Sequence, residues 1–204
     1  MEADAEAPIG RRERRRLEVR ARVLEAAEAL FEHRGYEATT VADICDRADI
    51  AYGTFFNHFP EKLDVLRLMA ERAVDAVVEK LEHLAKEDGG LEEQLLGLFT
   101  LPAEEFETDD RMRRDFIGKI QAIAYADSPE ESGRRYYAAF EAYLAELVAR
   151  GRVRDDVPIE TLADVVANTV ASLSKSWVHF EDFPLRERSI AAARFLADSL
   201  RPPA

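Results

Sequence analysis

Residues 35–62 decide the fold of this chain, and they read GYEATTVADICDRADIAYGTFFNHFPEK. Thr40 is followed three residues later by Asp43 and by apolar residues at helical spacing, which is the pattern of a capping box at a helix start. The stretch therefore predicts a short helix over 41–47.

Three further segments frame this helix. Before it, apolar residues recur at helical spacing over 14–34, and Gly35 supplies the left-handed stop expected just past a helix end. After it, a break at Asp49 precedes a second short segment over 51–59. Pro60-Glu61-Lys62 then opens a long helix that continues to about residue 86.

One long and two short helices joined by a three- to four-residue turn predict a helix-turn-helix, whose last helix fits the major groove of DNA. That groove carries the donor and acceptor pattern that distinguishes base pairs. The reading helix needs a rigid support. The apolar residues that would supply it are Val41, Ile44, Ala48, Ile50 and Phe55.

Two blocks of this stretch, 35–44 and 53–62, resemble the DNA-binding signature of the TetR family of bacterial regulators. The resemblance covers residues 14–65 closely, and the remainder matches only as an all-helical body of suitable length. It implies that Thr40 caps the second helix and directs backbone N–H groups at a phosphate. It also implies that His58 and Lys62 contact phosphates.

The base- and sugar-facing side of the reading helix would consist of Tyr52, Gly53, Thr54 and Asn57, with Gly53 allowing close backbone approach. With the arginine-rich start of the first helix included, the predicted DNA-contacting residues are Arg14, Thr39, Thr40, Ala51, Tyr52, Gly53, Thr54, Phe56, Asn57, His58 and Lys62.

Three residues depart from the family pattern. Asp49 stands at the turn position usually held by glycine, and aspartate tolerates left-handed geometry. Ala51 replaces the usual serine cap and cannot accept a hydrogen bond. Phe56 replaces a tyrosine whose hydroxyl reaches a phosphate; Phe56 is either core or contact, whereas Phe55 and Phe59 are expected in the core.

Charge is distributed unevenly along the chain. The formal net charge is −13, yet residues 11–22 contain seven arginines and only two acidic residues. This pattern suggests one DNA-facing end on an otherwise DNA-repelling body. The arginines either contact DNA or stay solvated. The single cysteine, Cys45, excludes a disulfide framework and a multi-thiolate metal site, and we expect it to be an inert small hydrophobe.

The rest of the chain keeps a period near 3.6, which predicts helices near 91–101, 110–126, 129–150, 158–180 and 185–200. Breaks are expected at Pro102, Pro129, Gly151 and Pro184. The predicted class is all-α, with about nine helices. The predicted domains are a disordered acidic tail (1–10), a helix-turn-helix DNA-binding domain (11–60) and a larger helical ligand-binding and dimerisation domain (61–204).

The last two helices are predicted to form a two-fold dimer interface, because each carries an apolar stripe and the resembling family dimerises there. The predicted interface residues are Leu162, Val166, Leu173, Ile190, Ala193 and Leu196. Packing within one subunit is the alternative explanation for these stripes.

Aromatic residues at helical spacing in the middle of the chain could enclose a mostly apolar cavity, with a few polar tips from tyrosine, Gln121 or Asn168, or simply form core. The predicted ligand-binding residues are Phe99, Phe116, Ile120, Tyr137, Phe140 and Trp177. Composition favours a hydrophobic or aromatic ligand.

The functional prediction is a cytoplasmic, sequence-specific repressor, released from operator DNA by a small-molecule effector and acting as a homodimer without a membrane segment. No cofactor, metal or catalytic site is expected, because the four histidines are scattered and no nucleophile elbow or phosphate-binding glycine loop occurs. An activator or nucleoid protein remains the alternative.

Overall fold

The computed structural model describes residues 10–105, 111–126 and 130–203. Within these ranges it contains nine helices and no strand, which confirms the predicted all-α class. Apart from Gly10, the predicted acidic tail lies outside the described residues, as does the predicted break at Pro129. The chain divides into two units, Met1–Leu68 and Met69–Ala204.

The first unit begins with α1 (Arg11–Arg34), which starts three residues before the predicted position. Its buried side chains follow helical spacing from Val23 to Phe31. Leu17, an earlier apolar residue of the predicted 14–34 helix, is 48% exposed, since the buried side chains begin only at Val23. The N–H of Gly35, at φ 83°, donates to the carbonyl of Phe31 and ends the helix as predicted.

Two short helices follow, α2 (Val41–Ala48) and α3 (Tyr52–Phe56). Asp49 closes α2 with φ 49° and ψ 56°, so the left-handed turn survives without glycine. α3 is shorter than the predicted segment over 51–59. It ends early because the N–H groups of His58 and Phe59 both donate to the carbonyl of Phe55, each at 2.9 Å, in a tight turn.

The long helix α4 (Lys62–Lys86) contains the division between the two units. The second unit continues with α5 (Leu91–Glu105), α6 (Arg111–Ala126), α7 (Glu130–Ala149), α8 (Ile159–His179) and α9 (Leu185–Ser199). In it, α5 packs on α9, α7 on α8, α8 on α9, and α6 on both α7 and α8.

The predicted break at Pro102 is wrong, because α5 continues through it to Glu105. Proline removes one helical hydrogen bond, and here it lies only three residues before the helix end, where few bonds follow. The other described breaks agree with the prediction. Gly151 has φ 65° and follows α7, and Pro184 is the N-cap of α9.

A buried amide ties three helices of the second unit together. Gln94 is 1% exposed, and its Nε2 donates to the carbonyls of Leu84 and Glu87 at 2.9 and 3.1 Å. Its Oε1 accepts a hydrogen bond from the Tyr143 hydroxyl at 3.1 Å. Burial raises the pKa of Tyr143, so its hydroxyl remains the donor. The end of α4, the start of α5 and the middle of α7 are thereby joined.

Candidate DNA-binding surface

Helix α3 has an inner and an outer side. Phe55 is fully buried and Phe59, just beyond the helix, is 1% exposed, as the sequence predicts. On the outside Tyr52 and Phe56 are 57% and 42% exposed, with ring centroids 5.1 Å apart in an edge-on contact. The structure thus resolves the alternatives for Phe56 in favour of exposure.

The outer side of α3 is completed by Gly53 and Asn57, both exposed. A Cβ placed on Gly53 would meet nothing within 4 Å, and its φ is not positive. Neither packing nor backbone geometry within the described residues therefore requires glycine here. We call the side formed by Tyr52, Gly53, Phe56 and Asn57 the reading surface.

The start of α2 is fixed by the predicted capping box. The backbone N–H of Asp43 donates to the Thr40 hydroxyl at 3.2 Å, and the Thr40 N–H donates to the Asp43 carboxylate at 2.8 Å. An ion pair with Arg34 at 2.5 Å holds the Asp43 carboxylate in place. This pair and the Thr40 hydrogen bonds keep the pKa of Asp43 well below its usual range. The N–H of Thr40 itself is thus occupied by Asp43.

Thr39 is fully buried, and its hydroxyl donates to the carbonyl of Gly35 at 2.8 Å. The predicted DNA contact of Thr39 therefore does not come from its side chain, which stabilises the loop between α1 and α2. Ala51 lacks a side-chain cap, as expected. Its carbonyl accepts the Thr54 N–H at 2.8 Å.

Lys62 has a role within the first unit that sequence reasoning missed. Its ammonium donates to the carbonyls of Tyr36 and Thr39 at 2.7 and 2.8 Å, and lies 4.0 Å from the centre of the Tyr36 ring. The lysine thereby fastens the start of α4 to the loop before α2. Its contact with phosphate stays a prediction.

The predicted arginine-rich arm is helical, since α1 begins at Arg11. Arg14 is exposed on this helix. A groove beside α3, which we call the arginine groove, is lined by Arg12, Arg15, Arg16, Val19, Arg22, Asp49, Ile50, Ala51, Thr54 and His58. Four guanidinium groups therefore stand next to the predicted contacts Ala51, Thr54 and His58, a grouping that suits phosphate.

Two arginines of α1 hold the turn regions around α3. Arg22 donates to the carbonyls of Ala48 and Asp49, and Arg20 donates to the carbonyl of His58 at 3.1 Å. Arg20 also lies 4.7 Å from the centre of the Phe59 ring. Sequence reasoning assigned these charges only to DNA or solvent, because their carbonyl partners are distant in sequence.

His58 is half-buried, and its Nδ1 is buried with no hydrogen-bond partner among the described residues. Burial lowers the pKa of this imidazole, and the nearby Arg16 and Arg20 lower it further. Without DNA, His58 therefore favours its neutral form more than a free histidine does. A phosphate that accepted a hydrogen bond from this imidazole would raise its pKa again.

The six residues predicted to bind ligand are buried or half-buried side chains of the second unit. Phe99 and Phe140 lie in the main core cluster, and Phe116 and Trp177 are buried as well. Ile120 and Tyr137 are half-buried. The prediction of an aromatic-walled site is corrected, because these rings pack against other core side chains.

A cavity of about 1120 Å³ lies instead between α6 and α8, within the second unit. None of the six predicted residues lines it. Its lining comprises Arg111, Arg114, Asp115, Gly118, Lys119, Gln121, Ala122, Asn168, Ala171, Ser172, Lys175, Val178, His179 and Glu181. We call it the α6–α8 cavity.

The predicted dimer-interface residues are mostly core residues of their own subunit. Leu162, Val166, Ala193 and Leu196 are buried in the main core cluster, which makes the prediction wrong for these four. The apolar stripe visible in the sequence is the side facing the subunit interior. Leu173 and Ile190 are half-buried, and their part in an interface stays a prediction.

Apolar side chains are exposed elsewhere on the same two helices. Val165 of α8 is 48% exposed and Phe195 of α9 is 70% exposed. Contiguous exposed apolar patches are typical of contact surfaces, and these two side chains supply exposed apolar area on adjacent helices.

The described residues hold neither a metal-binding cluster nor a membrane-spanning helix. No group of three or more His, Cys, Asp or Glu side chains there could hold a metal ion. No helix in the same ranges is both long and apolar enough to cross a membrane. Cys45 is buried, and burial raises the pKa of its thiol.

Comparison with known proteins agrees with this geometry. The family profile for bacterial regulatory proteins of the tetR family matches residues 23–69. The chain is 26% identical to the transcriptional repressor BepR of Brucella suis, covering 92% of this chain and 94% of that protein. It is 33% identical to the transcriptional repressor KstR2 of Mycobacterium tuberculosis, covering 74% and 76%.

Among solved structures, the TetR-family repressor FadR of Thermus thermophilus, in complex with lauroyl-CoA, superposes with a TM-score of 0.64 and 23% identity. The alignment covers 87% of this chain and 92% of that one. The fold agrees over most of both chains, and the sequence match to KstR2 extends well beyond the DNA-binding unit. This chain belongs to the TetR family of bacterial transcriptional regulators.

Proposed function

We propose that this DNA-binding regulator is a repressor that holds operator DNA as a homodimer and releases it when a small molecule binds its helical body. The observation that carries the proposal is the reading surface. Tyr52 and Phe56 stay exposed although burying aromatic rings is favourable, and Gly53 leaves its flank open for close approach. This combination suits insertion into a groove of DNA.

We assign one role to each predicted domain. Residues 11–60 bind DNA, and residues 61–204 bind the effector and dimerise, after an acidic tail over 1–10. The protein acts in the cytoplasm as a regulator without catalytic activity or cofactor. The relatives BepR and KstR2 are repressors by name, which supports repression over activation.

Contacts with the DNA backbone fix the position of the reading surface, and base contacts from α3 provide specificity. The arginine groove supplies the positive charge for phosphates, since Arg12, Arg15 and Arg16 line it beside Thr54. Arg14, Thr40, His58 and Lys62 extend these contacts. Asn57 and Tyr52 meet base or sugar edges.

Dimerisation is proposed through the exposed sides of α8 and α9, with Val165 and Phe195 near the centre of the contact. A two-fold pair presents two reading surfaces, which matches operators read as two half-sites about one helical turn apart. One copy alone would contact a single half-site and bind weakly.

Release is proposed to follow from a shift in population between two dimer forms. An effector that binds more tightly to the form whose reading surfaces are wrongly spaced for DNA lowers operator affinity by the ratio of its two affinities. Helix α4 is the proposed lever, because it supplies Lys62 to the first unit and continues into the second. FadR of Thermus thermophilus, solved with lauroyl-CoA, supports a small-molecule effector for this fold.

The first test is binding to a fluorescent DNA fragment from the chain's own upstream region, measured by anisotropy against a scrambled fragment. Wild type should prefer the native fragment, and Tyr52→Ala should lose about 1–3 kcal/mol of that preference. Arg16→Ala should weaken binding to the native and the scrambled fragment alike. It should also reduce the slope of log affinity against log salt concentration by about one. Arg72→Ala, which removes an exposed arginine of α4 in the second unit, is the matched control.

A Tyr52→Ala protein with undiminished preference would refute the assignment of the reading surface. Light scattering tests the dimer separately. Wild type should have about twice the mass of 23.1 kDa, and Phe195→Glu should give the monomer mass. A wild-type monomer at micromolar concentration would contradict the proposed interface.

A further inference from the structure

The α6–α8 cavity differs in character from the protein that contains it. Its lining includes four cationic side chains and two carboxylates, in a chain whose formal net charge is −13. The cationic residues come from both walls, with Arg111, Arg114 and Lys119 on α6 and Lys175 on α8. A concave surface of this charge attracts anions and repels cations.

The cationic side chains are placed by helix periodicity on the two facing surfaces. On α8 the lining residues Ala171, Lys175 and Val178 are spaced by four and three residues, so they lie on one face. The ammonium of Lys175 therefore lies one turn from an apolar residue on either side. Ala122 of α6 adds a further apolar patch.

The two walls are held at a fixed separation. A Cβ on Gly118 would lie 2.7 Å from Cγ1 of Val178, so the helices approach closely at this glycine. Nearby, Arg114 donates to the carbonyls of Trp177 and Phe180 at 2.8 and 3.0 Å, and lies 4.7 Å from the centre of the Trp177 ring. These contacts anchor α6 to the end of α8 and make the cavity a preformed site.

Lys175 differs from Arg114 in its surroundings. Arg114 is bound to backbone carbonyls, whereas Lys175 is exposed and its side chain makes no ion pair or hydrogen bond with the part of the chain that is described. A cation lining a partly apolar cavity is suited to meeting the acid group of a ligand whose body covers the alanine and valine side chains.

From this geometry we propose that the α6–α8 cavity binds an amphipathic organic anion, with Lys175 meeting its acid group and the apolar residues of both walls covering its body. The acid group is a carboxylate or a phosphate ester, which share this chemistry. The inference rests on the proposed function, since it names the class of effector for the helical body. It also adds an acid group to the hydrophobic or aromatic ligand expected from the sequence.

The test compares two fluorescent probes with the same aromatic body, anilinonaphthalene sulfonate and its neutral parent phenylnaphthylamine, titrated into the purified full chain. The sulfonate should bind about tenfold more tightly, as one hydrogen bond to a charged group provides. Lys175→Gln should abolish this difference while leaving the neutral probe unchanged. Lys86→Gln, an exposed lysine on α4 outside the cavity, is the matched control and should behave as wild type.

Displacement of the bound sulfonate separates the two sources of the anion. Laurate displaces it if carboxylates are accepted, dodecyl phosphate displaces it if phosphate esters are accepted, and either result supports the proposal. Dodecanol should displace it at least tenfold less effectively. Equal displacement by dodecanol, or equal sulfonate binding by wild type and Lys175→Gln, would overturn it.

These titrations contain no DNA, so they are independent of the proposed repressor function. Lys175→Gln should bind the upstream fragment as wild type does when no probe is present. A wild-type protein that binds the sulfonate selectively but ignores its own upstream DNA would contradict the repressor, and leave the anion site standing.

Discussion

Replacing Gly118 by alanine tests the close approach of α6 and α8 most directly. In an open helix position, Gly→Ala stabilises by about 1 kcal/mol, because alanine loses less backbone entropy on folding. Gly97 of α5 is such a position, since a Cβ there would meet nothing within 4 Å. Gly97→Ala should therefore raise the melting temperature.

Gly118→Ala should behave differently. The new Cβ would lie 2.7 Å from Cγ1 of Val178, whose branched side chain has few other rotamers. Overpacking of this kind costs about 1–3 kcal/mol, which offsets or exceeds the gain in helix propensity. The two variants should thus differ by about 1–3 kcal/mol, or roughly 2–12 °C in melting temperature for a chain of this length.

The assay is thermal unfolding followed by circular dichroism, at one protein concentration because dimerisation makes the melting temperature depend on it. The double variant Gly118→Ala, Val178→Ala should recover part of the loss, since the clashing methyl groups are gone. If Gly118→Ala stabilises as much as Gly97→Ala does, the close approach of the two helices is refuted.

Two further predictions concern the first unit. Lys62→Met keeps the aliphatic stem but removes the hydrogen bonds to the carbonyls of Tyr36 and Thr39. The free energy of unfolding, measured in urea, should therefore fall by about 1–3 kcal/mol. An unchanged free energy would contradict the stabilising role of Lys62. The ion pair with Arg34 lowers the pKa of Asp43 in the folded state. The pair therefore stabilises the fold fully above the ordinary pKa of aspartate, and this stabilisation is lost as the pH falls below that value. Asp43→Asn should flatten this acid-side decline in melting temperature, and an equally steep decline in the variant would count against the pair.

Local features were predictable from the sequence. The Thr40 cap, the left-handed Asp49 and the burial of Phe55 each depend on a few neighbouring residues, and the structure confirms all three. The internal hydrogen bonds of Thr39 and Lys62 were not predicted, because their partners are backbone carbonyls, which carry no sequence signal.

Tertiary features were predicted less well. The sequence correctly marked α8 and α9 as apolar but not which side faces the subunit core, because a stripe such as Leu162 and Val166 looks the same for core and interface. Val165, one residue away, is the exposed one. Of the residues that line the α6–α8 cavity, the sequence indicated only Gln121 and Asn168. The cationic lining was missed because it comes from two segments far apart in the chain, and its charge is diluted along the sequence.

The open flank of Gly53 has a genetic consequence. A Cβ there meets nothing within 4 Å and the position is exposed, so we expect Gly53→Leu to yield a folded, abundant protein. If two copies dimerise as proposed, such a protein would form heterodimers with the wild-type subunit. One of the two reading surfaces in each heterodimer would then be unable to bind DNA. An allele of this kind would therefore act as a dominant inhibitor in a cell carrying both copies. A destabilised variant would instead be degraded and would leave the wild-type dimers intact.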